Sequence, residues 1–308
     1  MKKIKIISLI VLVFFNINFV SAQLPDSLKN AKPYISLNEA LANPDSVIIL
    51  DLLNSEIEEI PAEIGNLKNV RIMYLYDNKI KAIPPEIGNL EFLQELYLDR
   101  NQITELPKEI GRLKNLTILS ISHNNLNSLP KEISTLISLK SLILNDNNIS
   151  YIPQTIGDIA SLNVLDLTNN KLTELDENIG NCVFLEELKL SNNNLTTLPK
   201  SIKYLQILNK LSVDENQLVE LTPQIGNLKN LVSLSVYGNK ITVIPPEIGN
   251  AKNLEEIILQ GNPIFSIPSE ISKLHQLKYL DLSNTHIKKE DMKKIQGYNP
   301  SAIIVFPF

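Results

Sequence analysis

Side chains that could perform covalent or metal chemistry are sparse in this chain. Its 308 residues include three histidines, His123, His275 and His286, and a single cysteine, Cys182. The histidines fall too far apart in the sequence pattern described below to share one metal. No GxxxxGK[ST], GxGxxG, HExxH or GxSxG motif is present. We therefore predict no catalytic residue, no metal site and no cofactor, and we expect a protein that is not an enzyme. Cys182 has no partner for an internal disulfide and is expected to be a buried hydrophobe.

The chemistry that the sequence does favour is recognition. Tyrosine and isoleucine recur at alternating positions, where a β-strand would present them on one face. Tyrosine offers a large contact area together with a hydrogen-bonding tip, and such side chains anchor protein interfaces. The candidate partner-binding residues are Ile72, Tyr74, Tyr76, Tyr97, Asp99, Ile118, Tyr237, Ile258 and Tyr279. Tyrosine also suits any pleated surface, so a purely structural role is the alternative interpretation of these residues.

A 23-residue repeat must position these side chains, and Leu90 to Arg112 shows it clearly. Numbered from its first residue, the repeat is apolar at positions 1, 4, 7, 9, 14, 17 and 21. Asparagine stands at position 12, proline at 18 and glycine at 22. Eleven such units follow one another without insertion, opening at Pro44, Leu67, Leu90, Leu113, Leu136, Ile159, Cys182, Leu205, Leu228, Ala251 and Leu274.

The spacing predicts one short strand and one crossover per unit. Positions 7 and 9 alternate with polar residues at period two, which places their leucines in the core and positions 6, 8 and 10 on the opposite face. Stacked parallel strands require a crossover, and the proline and glycine shape it into a turn and a short helical segment. The asparagine amide can satisfy backbone groups where the strand ends, so we assign it a structural role.

This pattern closely resembles the leucine-rich repeat family, whose units read LxxLxxLxLxxNxLxxLPxxIGx, and it is similar to the Ras-group and bacterial members. Departures within the array include Asp176 and Thr222 in place of the proline, and Ser134, Lys203 and Ser272 in place of the glycine. The last unit is degenerate, and Ser55 and Thr285 replace the asparagine in the first and last units. The resemblance implies an α/β solenoid of horseshoe shape, capped at both ends. Its parallel sheet would line the concave face, with irregular or short helical structure on the convex side. Partners of this family bind on the concave face.

The N-terminus is typical of a secretory signal peptide covering residues 1–22. Lys2, Lys3 and Lys5 precede an apolar run from Ile6 to Phe15, and Val-Ser-Ala stands before Gln23. We predict cleavage between Ala22 and Gln23, no stable membrane span after cleavage, and a secreted or periplasmic product.

Both ends of the repeat array carry expected caps. Residues 23–43 form the first, with a helix that starts in a capping box of Ser36 and Glu39 and ends at Pro44. The repeats are assigned to residues 44–296, including a helix over 288–296 that Gly297, Asn299 and Pro300 would break. Residues 297–308 form the second cap, in which the apolar run from Ala302 to Phe306 is expected to close the sheet as a strand.

Charge and size limit the remaining function classes. The formal net charge of −5 and the lack of a basic run argue against nucleic acid as a partner. Few residues flank the repeats on either side, so we expect no fused catalytic domain. We expect an exported, non-enzymatic module that binds a protein or peptide on the concave face. The alternative is an adhesin or envelope component that binds polysaccharide or a host surface, for which Tyr97 beside Asp99 and Tyr74 beside Asp77 could form aromatic platforms.

Overall fold

The computed structural model describes Leu28 and residues 31–307 of the chain. The predicted signal peptide and its cleavage site before Gln23 lie outside the described residues. Among the helices that are described, none is long and apolar enough to cross a membrane.

Within the described residues, twelve parallel strands form one sheet in sequential order. In the first eleven, paired residues are 23 positions apart, as Ile72 and Glu95 are, because each unit contributes one strand at the same place in the repeat. The fold class is therefore the predicted solenoid. We number the strands β1 to β12 along the chain: Ile49–Asp51, Ile72–Tyr74, Glu95–Tyr97, Ile118–Ser120, Ser141–Ile143, Val164–Asp166, Glu187–Lys189, Lys210–Ser212, Ser233–Ser235, Glu256–Ile258, Tyr279–Asp281 and Ile303–Val305.

Short 3-10 helices carry the chain from one strand to the next. Proline at position 18 precedes most of them in an extended conformation, as Pro107 does with φ −67° and ψ 145°. Where Asp176 replaces proline, its carboxylate accepts a hydrogen bond from the Asn178 backbone N–H at 2.8 Å and caps the turn instead. The ten equivalent segments are Ala62–Asn66, Pro85–Asn89, Lys108–Arg112, Lys131–Thr135, Gln154–Asp158, Glu177–Asn181, Lys200–Tyr204, Pro223–Asn227, Pro246–Asn250 and Ser269–Lys273.

One continuous apolar core runs between the sheet and these crossovers. The leucines and isoleucines at the repeat's apolar positions are almost all fully buried, as Leu96 and Leu98 are. Cys182 is buried among them, as expected, and burial raises the pKa of its thiol to about 12. Since the thiolate is the reactive form, this cysteine is inert.

The asparagines at position 12 form a ladder along one edge of the core. Asn78 Nδ2 donates to the carbonyls of Leu52 at 2.8 Å and Leu75 at 2.9 Å, and its Oδ1 accepts from the backbone N–H of Ile57 at 3.0 Å. The same contacts recur at the later asparagines, so each amide joins its own unit to the one before it. This is the structural role assigned from the sequence.

The N-terminal end of the array is covered by helix α1, Leu37–Ala42. Ser36 Oγ accepts from the Glu39 backbone N–H at 3.4 Å, and Ala40 is buried against the core. Ahead of the helix, Tyr34 forms a parallel bridge with Leu50 and extends the sheet by one residue.

At the C-terminal end, a 3-10 turn, Lys289–Asp291, leads into helix α2, Met292–Tyr298. The helix ends at Tyr298, two residues beyond the predicted Gln296, and it is followed by Asn299 and Pro300, two of the three residues expected to break it. Glycine so close to a helix end costs little, and the buried Ile295 holds the helix in place. Strand β12 then pairs with β11 and closes the sheet.

Candidate functional site

The face of the sheet opposite the core carries the side chains at positions 6, 8 and 10 of each unit, and we call it the open face. The nine candidate residues lie on strands β2, β3, β4, β10 and β11 or in the turns that directly follow the strands. They fall into two groups. Ile72, Tyr74, Tyr76, Tyr97, Asp99 and Ile118 lie near the N-terminal end, and Tyr237, Ile258 and Tyr279 lie near the C-terminal end.

In the first group, Tyr74 contacts both Tyr76 and Tyr97, and we call these three residues the tyrosine cluster. The rings of Tyr74 and Tyr97 stack at 5.2 Å between centroids with 21° between planes. Tyr76 meets Tyr74 edge to face at 6.1 Å and 89°. All three side chains are half-buried, so the cluster is a preformed aromatic surface rather than a set of separate mobile side chains.

The hydroxyl groups of the cluster are neutral donors at physiological pH. Burial raises the pKa of Tyr74 and Tyr97 well above the ordinary value of 10.0, with the nearby Glu95 carboxyl adding to the shift. Burial also raises the pKa of Tyr76 to about 12. Tyr97 Oη donates to Glu95 Oε2 at 3.0 Å. The pKa of Glu95 itself is raised by burial, against the opposing effect of that hydrogen bond.

Ile72 was expected to be exposed on this face, and that expectation is wrong. Its side chain is 1 % exposed, because Leu28 lies over it. Leu28, Ile49 and Ile72 form a second apolar cluster, separate from the core of the repeats, and Tyr74 and Tyr97 pack against it. Leu28 lies outside the repeats, so no periodic pattern in the sequence could have assigned it to this site.

Asp99, another of the candidate residues, is also buried, at 5 % exposure, rather than open to solvent. Its Oδ1 accepts from Ser120 Oγ at 2.6 Å and from the Ser122 backbone N–H at 2.8 Å. Burial raises the pKa of this carboxyl, while these hydrogen bonds act in the opposite direction. Asp99 therefore joins its own unit to the next one, and Tyr97 lacks the free carboxylate that a saccharide platform would use.

The middle of the open face is polar and largely self-paired. Lys189 Nζ lies 3.1 Å from Glu187 Oε2 and 3.7 Å from Asp166 Oδ2. One ammonium group thus offsets only one of the two carboxylate charges, and a net negative charge remains at this point of the open face.

The second group of candidates is looser than the first. Tyr237 is 37 % exposed, while Ile258 and Tyr279 are half-buried. Tyr279 Oη donates to Asp281 Oδ2 at 3.2 Å. Five strands, β4 to β8, lie between Tyr97 and Tyr237, so the structure does not bring the two groups together into one site.

Metal chemistry finds no support within the part of the chain that the structure describes. No group of three or more histidine, cysteine, aspartate or glutamate side chains there could hold a metal ion.

Comparison with known proteins places the chain among repeat proteins. The family described as "leucine-rich repeat region" matches residues 88–177 and 164–295, which is more than half of the chain. A search of the curated proteins gave no match.

Solved structures of the same fold include a leucine-rich repeat protein of Leptospira interrogans, which is 27 % identical with a TM-score of 0.60 over 89 % of this chain and 100 % of that one. A TDR receptor is 26 % identical with a TM-score of 0.77, over 90 % of this chain and 50 % of that one. The GASSHO1/SCHENGEN3 receptor kinase ectodomain of Arabidopsis thaliana, in complex with CASPARIAN STRIP INTEGRITY FACTOR 2, is 27 % identical with a TM-score of 0.69. That match covers 85 % of this chain and 36 % of the receptor chain. The chain thus spans half or less of the two receptors but all of the Leptospira protein.

The repeat spacing, the parallel sheet, the asparagine ladder and the family match agree. The chain belongs to the leucine-rich repeat family.

Proposed function

We propose that this protein is an exported recognition module, without catalytic activity, that binds a protein or peptide on its open face. The observation that carries the proposal is the tyrosine cluster. Tyr74 and Tyr97 stack into a rigid aromatic surface whose hydroxyls stay protonated, and such surfaces lose little conformational entropy when a partner binds.

Structural relatives support this kind of partner. One receptor of the same fold is described in complex with CASPARIAN STRIP INTEGRITY FACTOR 2, and the plant peptide hormone receptor RGFR1 is described in complex with RGF2. Those partners belong to those receptors, and only the general class of ligand is carried over to this chain.

The proposed binding residues are Tyr74, Tyr76, Tyr97 and Ile118, with Tyr237, Ile258 and Tyr279 as a second, separate contact. Export follows from the predicted signal peptide, so the partner would be met in the periplasm or outside the cell. Polysaccharide is the weaker alternative, because Asp99 is buried and bonded to the next unit. A glycan-array screen that finds a specific saccharide would favour that alternative.

The first prediction concerns the tyrosine cluster. Replacing Tyr74, Tyr76 and Tyr97 together with alanine should weaken capture of the partner from an envelope extract by about thirtyfold or more, as expected for loss of interface anchors. Pull-down with quantitative mass spectrometry would measure the loss. Circular dichroism would check that the sheet is intact.

The matched control replaces Tyr151 and Tyr204, two tyrosines that are exposed away from the open face. This variant should capture the partner as the unaltered protein does. Equal capture by the cluster variant and this control would rule out the proposed site.

A further inference from the structure

An apolar surface beside the tyrosine cluster is covered by a side chain of the same protein, Leu28. Leu28 is 7 % exposed, although it lies outside the repeats and takes no part in their core. Its contacts are Ile49 on β1 and Ile72 on β2, with Tyr74 and Tyr97 at the side. We call the apolar surface formed by Ile49 and Ile72, and bordered by Tyr74 and Tyr97, the seat. The aliphatic side chain of Leu28 fills it.

The backbone around Leu28 explains how the side chain reaches this place. The Ala31 N–H donates to the Leu28 carbonyl at 3.1 Å, which closes a turn. Three residues later Tyr34 is fixed to the sheet edge, since its N–H donates to Ile49 O at 2.9 Å and its carbonyl accepts from the Asp51 N–H at 2.8 Å. We call Leu28 and Ala31 the strap, because both pack in this cluster and both precede Tyr34, which is fixed at the edge of β1.

Few side chains from outside the repeats cover the seat. Leu28 and the half-buried Ala31 are the strap residues packed in this cluster, and the contacts are apolar. The cluster is separate from the continuous core of the repeats. Removing Leu28 would therefore uncover Ile49 and Ile72 without opening the core.

We propose that the strap is a removable cover, and that a partner binds by placing its own aliphatic anchor where Leu28 now lies. The partner class is then a linear protein segment carrying a leucine or isoleucine that is flanked by groups able to contact Tyr74 and Tyr97. The covering contact stands on its own, whereas its role in regulation rests on the function proposed above.

A cover of this kind lowers the apparent affinity of the partner by the fraction of molecules in which the seat is open. Burial of one leucine side chain accounts for about a tenfold reduction or more. Loosening the strap should raise the affinity by that factor, and fixing it in place should lower the affinity.

The first test measures access to the seat in the full chain, with the apolar dye bis-ANS as the probe. Leu28→Ser should raise dye fluorescence several-fold. Ile35→Ser removes a nearby aliphatic side chain that is 71 % exposed and should leave the signal unchanged. Adding Tyr74→Ala and Tyr97→Ala to Leu28→Ser should reduce the signal again. No increase with Leu28→Ser, or an increase that the tyrosine substitutions do not reduce, would overturn the proposal.

The second test fixes the strap covalently and covers the case in which Leu28→Ser does not fold. The double variant Leu28→Cys and Ile49→Cys should form a disulfide under mild oxidation, while Ile35→Cys with Ile49→Cys should not. The buried native Cys182, with a thiol pKa of about 12, does not compete. Failure of the first pair to cross-link would show that Leu28 does not occupy the seat.

Partner capture by the cross-linked chain then separates the two proposals. The oxidised form should capture about tenfold less than the reduced form. Equal capture by both forms, in a chain whose capture depends on Tyr74 and Tyr97, would overturn regulation by the strap and leave the proposed function intact. Capture that never depends on the tyrosines would reject the proposed function, and the dye and cross-linking results alone would then decide whether the strap covers the seat.

Discussion

Each asparagine at position 12 makes several hydrogen bonds to backbone groups of its own unit and the preceding one, and Asn147 in the middle of the array is representative. Its Nδ2 donates to Ile121 O at 2.8 Å and Leu144 O at 3.0 Å, and its Oδ1 accepts from the Leu126 N–H at 2.9 Å. All of these backbone groups are buried. A side chain without polar atoms would leave the Leu126 N–H unpaired, which costs about 1–3 kcal/mol. It would also remove one of the two hydrogen bonds that each carbonyl accepts, since Ile121 O also accepts from Asn124 Nδ2 and Leu144 O from Asn170 Nδ2.

Asn147→Leu should therefore lower the free energy of unfolding by about 2–5 kcal/mol. Urea denaturation followed by circular dichroism would measure the change. Asn125→Leu is the control, because Asn125 is exposed and its replacement should change stability by less than about 0.5 kcal/mol. Similar losses for the two variants would contradict the structural role of the ladder.

Asp99 provides a test of a buried charge. Burial raises the pKa of its carboxyl above 3.8, so ionisation is harder in the folded chain than in the unfolded one. Below pH 3.8 the carboxyl is protonated in both states, and this contribution to stability is fully present. As the pH rises through the raised pKa, the folded protein loses it.

Asp99→Asn removes the charge while keeping an acceptor oxygen for Ser120 Oγ and the Ser122 N–H. The stability of this variant relative to the unaltered protein should grow as the pH rises from about 4 to 7. Thermal denaturation across this pH range would measure the difference. A difference that does not change with pH would show that the Asp99 carboxyl pays no ionisation penalty in the folded state.

The crossover segments of neighbouring units pack closely against one another. At Gly88, an added Cβ would lie 2.6 Å from the carbonyl oxygen of Glu109 in the next unit. Gly297, inside helix α2, has nothing within 4 Å of the same position. Gly88 therefore permits the close approach of neighbouring backbones, whereas no neighbouring atom requires glycine at position 297.

Alanine at these two positions should have opposite effects. Gly88→Ala should lower the free energy of unfolding by about 1–3 kcal/mol, because the crossovers must separate. Gly297→Ala should raise it by up to about 1 kcal/mol, because alanine favours the helix. Chemical denaturation would measure both, and a stable Gly88→Ala protein would mean that the convex side can open without penalty.

Periodicity in the sequence was sufficient to locate the strands and the crossovers. Period-two alternation identifies each strand, and Pro107 and Gly111 show where a crossover turns. The end of helix α2 was placed too early, because a glycine near a helix end is a weak signal when a buried residue such as Ile295 holds the segment.

The candidate site was predictable only in part. Repeat position decides which face of the sheet a side chain takes, and it placed the tyrosine cluster together on one face. Repeat position carries no information about residues outside the repeats that fold over this face. The burial of Ile72 beside Leu28 therefore could not be predicted. Nor does repeat position show which polar residues bond to one another across units, as Asp99 and Ser120 do.

The constant offset of 23 residues between paired strands also sets how the protein can change over time. Tyr97 and Tyr237 lie six strands apart, or about 29 Å at roughly 4.8 Å per strand. Recombination that deletes or duplicates one repeat between them would shift this distance by one strand while each junction keeps its register. The spacing between the two candidate groups therefore changes only in steps of one repeat. If both groups bind one ligand, a lineage could match that spacing to a longer or shorter ligand by gaining or losing whole repeats.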